Sequence, residues 1–113
     1  MGVRMTAHWT VSPGETEVVS AAVQSLMVAT RAEPGCDSCS LSTQLGERTC
    51  FHYEEEWRTE DDLNLQIRSG RFAKLAHLME GAMERPRIEF LLPHGTRGIE
   101  YAEEVHRGLH ERP

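Results

Sequence analysis

Hydrophobic and polar residues alternate from the start of the chain. The apolar side chains occupy every second position, at Met5, Ala7, Trp9 and Val11, and polar side chains fill the positions between them. This period of two predicts a β-strand with one apolar face. The strand is expected to stop at Ser12, because Ser12-Pro13-Gly14-Glu15 combines a hydroxyl N-cap, a proline at the first helical position and a carboxylate three residues after the cap. A helix should therefore begin here.

The next segments predict a helix followed by a hairpin. Apolar residues recur at helical spacing at Val19, Ala22, Val23, Leu26 and Met27, and Pro34-Gly35 ends this helix. Alternation returns from Cys39 to Leu45, a turn forms at Gly46-Glu47-Arg48, and a second arm runs from about Thr49 to Trp57. The inward side of this arm carries three aromatic residues and one carboxylate: Phe51, Tyr53, Glu55 and Trp57.

A second helix, a fourth strand and a tail complete the pattern. Thr59, with Asp62 three residues later, predicts a helix N-terminus. The apolar stripe of this helix is expected to bend near Gly70 and to continue until Pro86 through Leu63, Ile67, Phe72, Leu75, Ala76, Met79 and Met83. Ile88, Phe90 and Leu92 then alternate as a strand that Pro93 and Gly95 break. The tail predicts a short amphipathic helix with one side formed by Ile99, Ala102, Val105, His106 and Leu109.

The order β-α-β-β-α-β with a terminal helix predicts an α+β fold, the ferredoxin-like sandwich in which two helices cover one face of a four-stranded antiparallel sheet. We expect one domain over residues 3–93 and a tail over residues 94–113. The length of 113 residues, with 39% hydrophobic and 27% charged residues, agrees with a single domain.

Charge and composition narrow the classes of function. The net charge of −6 argues against nucleic acid and anionic membranes as partners, because both need a concentrated basic surface. The chain has no apolar run long enough to span a membrane, and Met1 to Met5 lack the layout of a signal peptide, so we expect a cytoplasmic location. Three cysteines are an odd number, which favours reduced thiols over a disulfide scaffold.

Glu55 is the unusual residue of the predicted core. A carboxylate among aromatic rings costs several kcal/mol to desolvate unless it is partnered or protonated. One interpretation is that Glu55 lies near the open end of the sheet and is hydrated or paired with an arginine. The other is that it is a functional carboxylate.

Four pieces of the sequence follow one another in a characteristic order: Pro34-Gly35-Cys36, Tyr53-Glu54-Glu55-Glu56-Trp57, Thr59-Glu60-Asp61-Asp62-Leu63 and Ile67-Arg68-Ser69-Gly70-Arg71-Phe72. Together they resemble one family, the antibiotic biosynthesis monooxygenase domains, and the resemblance spans about Val3 to Leu92. It implies a homodimeric α/β barrel with a pocket between sheet and helices in each subunit. Members oxygenate phenolic or quinol-type substrates without a cofactor, degrade haem, or isomerise a small phosphorylated compound, so membership does not fix the reaction.

The chain departs from the family pattern at three positions. Many quinol-type relatives carry a histidine where Gln66 stands here, and glutamine cannot act as a base near neutral pH. Haem-degrading relatives have a tryptophan at that point, an asparagine at the position of Ala7 and a histidine at the position of Ala76. These departures argue against haem breakdown.

The predicted site combines a base, two orienting groups and three aromatic rings. Glu55 would accept a proton, and Tyr53 and Gln66 would orient the oxygens of a small aromatic or quinol-like substrate. Trp9, Trp57 and Phe72 would stack on its ring, with no metal, flavin or other cofactor. Three alternatives stay open: the aromatic residues are simply core, the dimer binds a small ligand without catalysis, or it isomerises a small carbonyl compound.

Cysteines and histidines offer weaker candidates. Cys36-Asp37-Ser38-Cys39 has the spacing of a redox or zinc motif, and Cys50 with His52 offers two further ligands, but the hairpin register places them at opposite ends. His8 and His52 are expected to be neighbours on the polar face of the sheet, where a subunit contact is favoured over a ligand site. His77, His94, His106 and His110 are expected to take no part in chemistry.

Overall fold

The structure is a computed structural model that describes residues 2–108. The strands are β1 (Val3–Val11), β2 (Cys36–Gln44), β3 (Thr49–Trp57), β4 (Arg87–Leu92) and β5 (Gly95–Arg97). The helices are α1 (Thr16–Arg31), α2 (Glu60–Ile67), α3 (Gly70–Met79) and α4 (Glu100–His106), with a 3-10 turn at Pro13–Glu15. Within the described residues, no helix has the length and apolar character needed to cross a membrane. The predicted α+β class is confirmed, and the predicted elements occur in the predicted order, with one additional strand and with the second helix divided in two.

The sheet is antiparallel, with the strand order β2-β3-β1-β4-β5, and the prediction of four strands was wrong. Pro93 and Gly95 do end β4, but they also reverse the chain into the short strand β5. Gly95 has φ +138°, a conformation that side chains rarely adopt, which explains how so tight a reversal is made. Within one chain the sheet is open and not closed into a barrel.

The two faces of the sheet follow the predicted alternation. In the register of the central strands, Met5 pairs with Glu55 and Ala7 with Tyr53, and all four side chains are buried beneath the helices. Thr6, which pairs with Glu54, lies on the opposite face. The core is the layer between the sheet and the helices, so any polar group on that side of β3 is removed from water.

Three element boundaries differ from the prediction. Ser12 makes no side-chain capping bond, and a 3-10 turn precedes α1, which begins at Thr16. β2 ends at Gln44 and leaves Leu45 74% exposed. α3 ends at Met79, so Met83 does not continue the buried stripe and is 51% exposed. The Met83 N–H instead donates to the Thr10 carbonyl at 2.8 Å, which draws the chain back onto β1.

The bend predicted near Gly70 is a complete break between two helices. α2 ends at Ile67, and Ser69 is the N-cap of α3, accepting a bond from the Phe72 N–H at 3.4 Å. Thr59 caps α2 as predicted, through the Asp62 N–H at 3.1 Å. The break turns the chain, so that the last turn of α2 and the first turn of α3 approach the same point of the core.

The tail forms α4, but with a stripe rotated from the predicted one. Tyr101, Ala102 and Val105 are buried, whereas Ile99 is 38% exposed and the His106 side chain lies largely at the surface. The Tyr101 hydroxyl donates to Asn64 Oδ1 at 2.7 Å and lies 2.8 Å from Glu60 Oε2, which attaches α4 to α2. The pattern missed Tyr101 because its polar tip obscures a buried ring. Leu109 and His110 lie outside the described residues.

Candidate active site

Glu55 points into the core, as the alternation of β3 predicted. It lies between Tyr53 and Trp57 on the helix-covered side of the strand, and its register partners are Met5 on β1 and Cys39 on β2. Its side chain is 1% exposed. The interpretation in which Glu55 is hydrated at an open end of the sheet is therefore wrong.

Three side chains donate hydrogen bonds to the Glu55 carboxylate. Tyr53 Oη lies 2.5 Å from Oε2, Gln66 Nε2 lies 3.2 Å from the same oxygen, and Trp57 Nε1 lies 2.8 Å from Oε1. We call Glu55, Tyr53, Trp57 and Gln66 the Glu55 cluster. Both carboxylate oxygens are thus bonded to donors, an arrangement that suits the ionised form of the acid.

The pKa of Glu55 is raised, and burial is the largest cause. The bonds from Tyr53, Trp57 and Gln66, together with the charge of Arg71, act in the opposite direction and lower it. Desolvation prevails, so this carboxylate is more basic than an exposed one. A buried carboxylate of raised pKa is the kind of group that acts as a proton acceptor in enzymes.

Tyr53 connects Glu55 to a buried thiol on the neighbouring strand. Cys39 Sγ lies 3.3 Å from Tyr53 Oη, and burial raises the pKa of Cys39 to about 11, so the sulfur keeps its proton. Burial and the nearby Glu55 charge also raise the pKa of Tyr53, which remains a neutral phenol. The hydrogen bonds therefore run in one direction, because the Cys39 thiol donates to the Tyr53 phenol and the phenol donates to the Glu55 carboxylate.

Gln66 occupies the last turn of α2, where the chain turns into α3. Arg71 Nε donates to Gln66 Oε1 at 2.9 Å, so the amide nitrogen of Gln66 faces Glu55 and also lies 3.2 Å from Thr30 Oγ1. Arg71 and Thr30 are not among the predicted site residues. The available signal was an arginine five residues after Gln66, across a break marked by Ser69-Gly70.

Two of the six predicted site residues, Trp9 and Phe72, make their ring contacts with residues outside the Glu55 cluster. Trp9 is six residues from Val3, the register partner of Trp57, a distance of roughly 20 Å along a strand, and its ring packs on Phe51 with 5.2 Å between centroids. Phe72 packs edge-on against the ring of His106 at 5.9 Å. The structure therefore joins Glu55, Tyr53, Trp57 and Gln66 by hydrogen bonds, and Trp9 and Phe72 take no part in those bonds.

A cleft of about 250 Å³ lies between α1 and β2, beside the cluster. It is lined by Gln24, Met27, Val28, Arg31, Leu41 and Thr43, and we call it the α1–β2 cleft. Leu41 pairs with Tyr53 in the sheet, so one layer of side chains separates this cleft from the Tyr53 ring. Arg31 forms its rim and donates two hydrogen bonds, of 3.1 and 2.7 Å, to the Cys39 carbonyl.

The cysteines are free thiols at separate places. Cys36 pairs with Trp57 at one end of the hairpin and Cys50 lies near the other, as the register predicted. Burial raises the pKa of Cys36 as well, which disfavours a reactive thiolate. Among residues 2–108, no group of three or more His, Cys, Asp or Glu side chains is placed to hold a metal ion.

The positions of His8, His52 and His77 agree with the prediction. His8 and His52 are hydrogen-bonded neighbours on the polar face, with 4.1 Å between ring centroids. His77 is exposed and lies 3.3 Å from Glu80.

Comparison with known proteins agrees with this architecture. The family model for antibiotic biosynthesis monooxygenase matches residues 2–77. A search of the curated proteins finds no match. Solved structures share the fold: a conserved protein from Methanosarcina mazei Go1 is 24% identical with a TM-score of 0.71, and the match covers 81% of this chain and 92% of that one.

Two further solved structures make the same point. A protein from Shewanella oneidensis is 20% identical with a TM-score of 0.70, and the match covers 86% of this chain and 91% of that one. An antibiotic biosynthesis monooxygenase is 20% identical with a TM-score of 0.66, covering 79% and 95% of the two chains. These likenesses concern the fold, whereas the family model covers more than half of the sequence. The chain therefore belongs to the antibiotic biosynthesis monooxygenase family.

Proposed function

We propose that the protein is a monooxygenase that oxygenates a small aromatic or quinol-like molecule without a metal or flavin, with Glu55 as the proton acceptor. The observation that carries this proposal is a carboxylate that is 1% exposed, has a raised pKa and is bonded only to donors. Such a group is basic and oriented, which is what deprotonation of a weakly acidic substrate needs.

The reaction begins when Glu55 removes one proton from an activated CH₂ group of the substrate, in the keto tautomer of a hydroxylated aromatic ring, leaving an electron-rich anion. The anion carbon forms a C–O bond with dioxygen and recovers the proton from Glu55 as a hydroperoxide. The O–O bond and the remaining C–H bond of that carbon then break with loss of water, so the net change is CH₂ + O₂ → C=O + H₂O. The substrate supplies all four electrons, and Glu55 ends in its starting form.

Tyr53 and Gln66 are suited to orient the substrate oxygens. Their donor groups already converge on one oxygen of Glu55, so an incoming anionic oxygen can replace the carboxylate as the acceptor of either bond. The α1–β2 cleft is the approach that we assign to the substrate, because displacement of Leu41 would open it toward Tyr53. Trp57 supplies a ring beside the base, whereas roles for Trp9 and Phe72 would require a substrate that extends beyond the cluster.

The polar face of the sheet supports association with a second copy of the chain. The described helices pack on the opposite face, and this one carries half-buried polar side chains, among them His8, His52 and Glu54. A flat hydrogen-bonding face is self-complementary across a twofold axis. Sedimentation velocity is expected to give twice the chain mass of 12.8 kDa. Ser42→Arg, on this face, should return single chains, and Ser25→Arg, on the helical surface, should not.

One observation favours a second candidate, a dimer that binds a small ligand without catalysis. Both oxygens of Glu55 are occupied by donors of the chain itself, which is also how a purely structural buried carboxylate is accommodated. This candidate predicts ligand binding without oxygen consumption.

An oxygen electrode distinguishes the two candidates. Wild-type protein is mixed with a panel of dihydroxyaromatic and anthrone-like compounds, and oxygen uptake is compared with Glu55→Gln and with the control Glu56→Gln, which changes the next carboxylate on the outer face. Uptake by the wild type and by Glu56→Gln, but not by Glu55→Gln, is the expected result. Thermal protection by a compound with no uptake would support the binding dimer, and equal uptake by all three proteins would remove Glu55 from the mechanism.

A further inference from the structure

We infer that Arg71 is a positioning residue: by holding the Gln66 side-chain amide in one orientation, it keeps Glu55 in its carboxylate form. The consequence for catalysis rests on the proposed function, but the effect on Glu55 does not. Arg71 touches neither Glu55 nor the proposed substrate, and acts through Gln66.

The hydrogen-bonding capacity of Arg71 fixes the Gln66 amide. A guanidinium has only donors, so the Gln66 atom 2.9 Å from Arg71 Nε must be the amide oxygen. The amide nitrogen then faces Glu55 Oε2 at 3.2 Å and Thr30 Oγ1 at 3.2 Å. The orientation of this buried amide is therefore determined by chemistry.

The opposite orientation would reverse the effect of Gln66 on Glu55. If the amide oxygen faced the carboxylate, two acceptors would meet in the core, and only protonation of Glu55 would supply a donor between them. Gln66 would then favour the neutral acid instead of the anion. Arg71 thus selects which protonation state of Glu55 the amide supports.

The break between α2 and α3 makes this contact possible. Ser69 Oγ donates to the Gln66 carbonyl at 2.6 Å and accepts from the Phe72 N–H, so one side chain joins the end of α2 to the start of α3. Arg71 follows two residues after Ser69 and therefore faces Gln66. On its outer side Arg71 lies 3.6 Å from Glu33, with side chains 27% and 42% exposed, so its charge is at the edge of the core and not sealed within it.

Other ionisable groups surround Glu55, and none of them takes the place of Arg71. Tyr53 on the same strand and Cys39 on β2 are neutral, because burial raises the pKa of both. Burial also raises the pKa of Cys36 on β2. Arg31, at the end of α1, is bonded to the Cys39 carbonyl. The positive charge that lowers the pKa of Glu55 is that of Arg71, from α3.

Trp57 provides a direct readout of the Glu55 charge, since its indole N–H donates to Glu55. Trp9→Phe leaves Trp57 as the only tryptophan, and its fluorescence is followed against pH. A transition that disappears in Glu55→Gln belongs to Glu55. In Arg71→Met its midpoint is expected to rise by about one pH unit or more, because both the charge and the amide orientation are lost.

The matched control is Lys74→Met, which removes a positive charge from the outer side of the same helix, where Lys74 lies in a groove with Ala22 and Leu26. The midpoint is expected to stay unchanged there. Arg71→Lys keeps a cationic donor and should restore most of the wild-type value. If Arg71→Met fails to fold by circular dichroism, Gln66→Met replaces it, because it removes the amide through which Arg71 acts and should also raise the midpoint. An unchanged midpoint in Arg71→Met, or in Gln66→Met where Arg71→Met does not fold, would overturn the inference.

Oxygen uptake separates this inference from the proposed function. With Trp9 intact, Arg71→Met should displace the pH profile of turnover to higher pH by the same amount as the fluorescence midpoint. A fluorescence displacement in a protein that consumes no oxygen would support the Arg71–Gln66 contact and reject the monooxygenase. Turnover with a pH profile that is identical in wild type and Arg71→Met would reject the role of Arg71 alone.

Discussion

The two ends of β1 differ in whether their buried polar atoms are hydrogen-bonded. At one end, the Glu55 cluster lies beside Met5, and both oxygens of the buried carboxylate are bonded. At the other end, His8 Nδ1, Trp9 Nε1 and Thr10 Oγ1 are buried and have no hydrogen-bond partner within residues 2–108. The same strand therefore ends in one polar cluster that the chain completes by itself and in another that it leaves incomplete.

This difference indicates that the Glu55 end has a role within one subunit and that the other end has a role in contact with another molecule. A buried polar group without a partner costs about 1–3 kcal/mol, so a fold tolerates it mainly where another molecule supplies the missing bond. The Glu55 end needs no such help, and its chemistry can be encoded within one subunit. His8 and Thr10 at the other end lie on the face that we propose to meet a second copy, where they border a cleft of about 670 Å³ together with His52, whereas the Trp9 ring lies on the helix-covered side.

Removal of the base should give the largest effect. Glu55→Gln keeps the size of the side chain but cannot accept a proton, so the rate of oxygen uptake should fall by roughly 100-fold or more. The measurement is initial-rate kinetics on a compound identified in the panel, with the fold checked by circular dichroism. A loss smaller than about 3-fold would mean that the Glu55 cluster has a structural role and not a catalytic one.

Removal of one donor should destabilise this end. Tyr53→Phe deletes the hydroxyl bonded to Glu55, leaves Oε2 with Gln66 alone, and is expected to lower the free energy of unfolding by about 1–3 kcal/mol. Urea denaturation measures the change. An unaltered midpoint of denaturation would show that the hydroxyl contributes nothing net to the cluster.

The pH dependence of stability should carry the signature of Glu55. Because its pKa is raised in the folded state, the folded protein binds this proton more readily than the unfolded chain does. This contribution is complete at low pH and is lost as pH rises from about 4.5 through the raised pKa. Comparison of wild type with Glu55→Gln in urea isolates it, since the variant should lack this decline while other groups titrate alike in both.

The smallest effect is expected at the opposite end. Thr10→Val replaces the unpartnered hydroxyl by a methyl group of similar shape and should change the free energy of unfolding of a single chain by less than about 1 kcal/mol, in the stabilising direction. Urea denaturation at low protein concentration, where chains are separate, is the measurement. A cost equal to that of Tyr53→Phe would abolish the contrast between the two ends.

Sequence alternation was sufficient for the part of the site that lies on strands. A period of two assigns each residue of β3 to one side, and so Glu55, Tyr53 and Trp57 could be placed together before any coordinates were known. The order of elements likewise follows from periodicity and caps. These features are local, and local patterns determine them.

Contacts across element boundaries could not be obtained in this way. The pattern predicted a bend at Gly70 but not the full break that turns Arg71 toward Gln66. It placed Trp9 and Trp57 on one face without revealing their separation along the sheet. The short strand β5 was missed because a glycine that ends one strand can also begin the next.

The position of β2 at the border of the sheet has a consequence for solubility. Edge strands expose unpaired backbone N–H and C=O groups, with which a strand of another molecule can pair, and this is a common route to aggregation. Here a bulge between Cys36 and Ser38 interrupts the regular pairing of β2 with β3. In addition, the guanidinium of Arg31 donates two hydrogen bonds to the Cys39 carbonyl. A strand from another molecule would have to displace the Arg31 guanidinium from the Cys39 carbonyl before it could pair with β2.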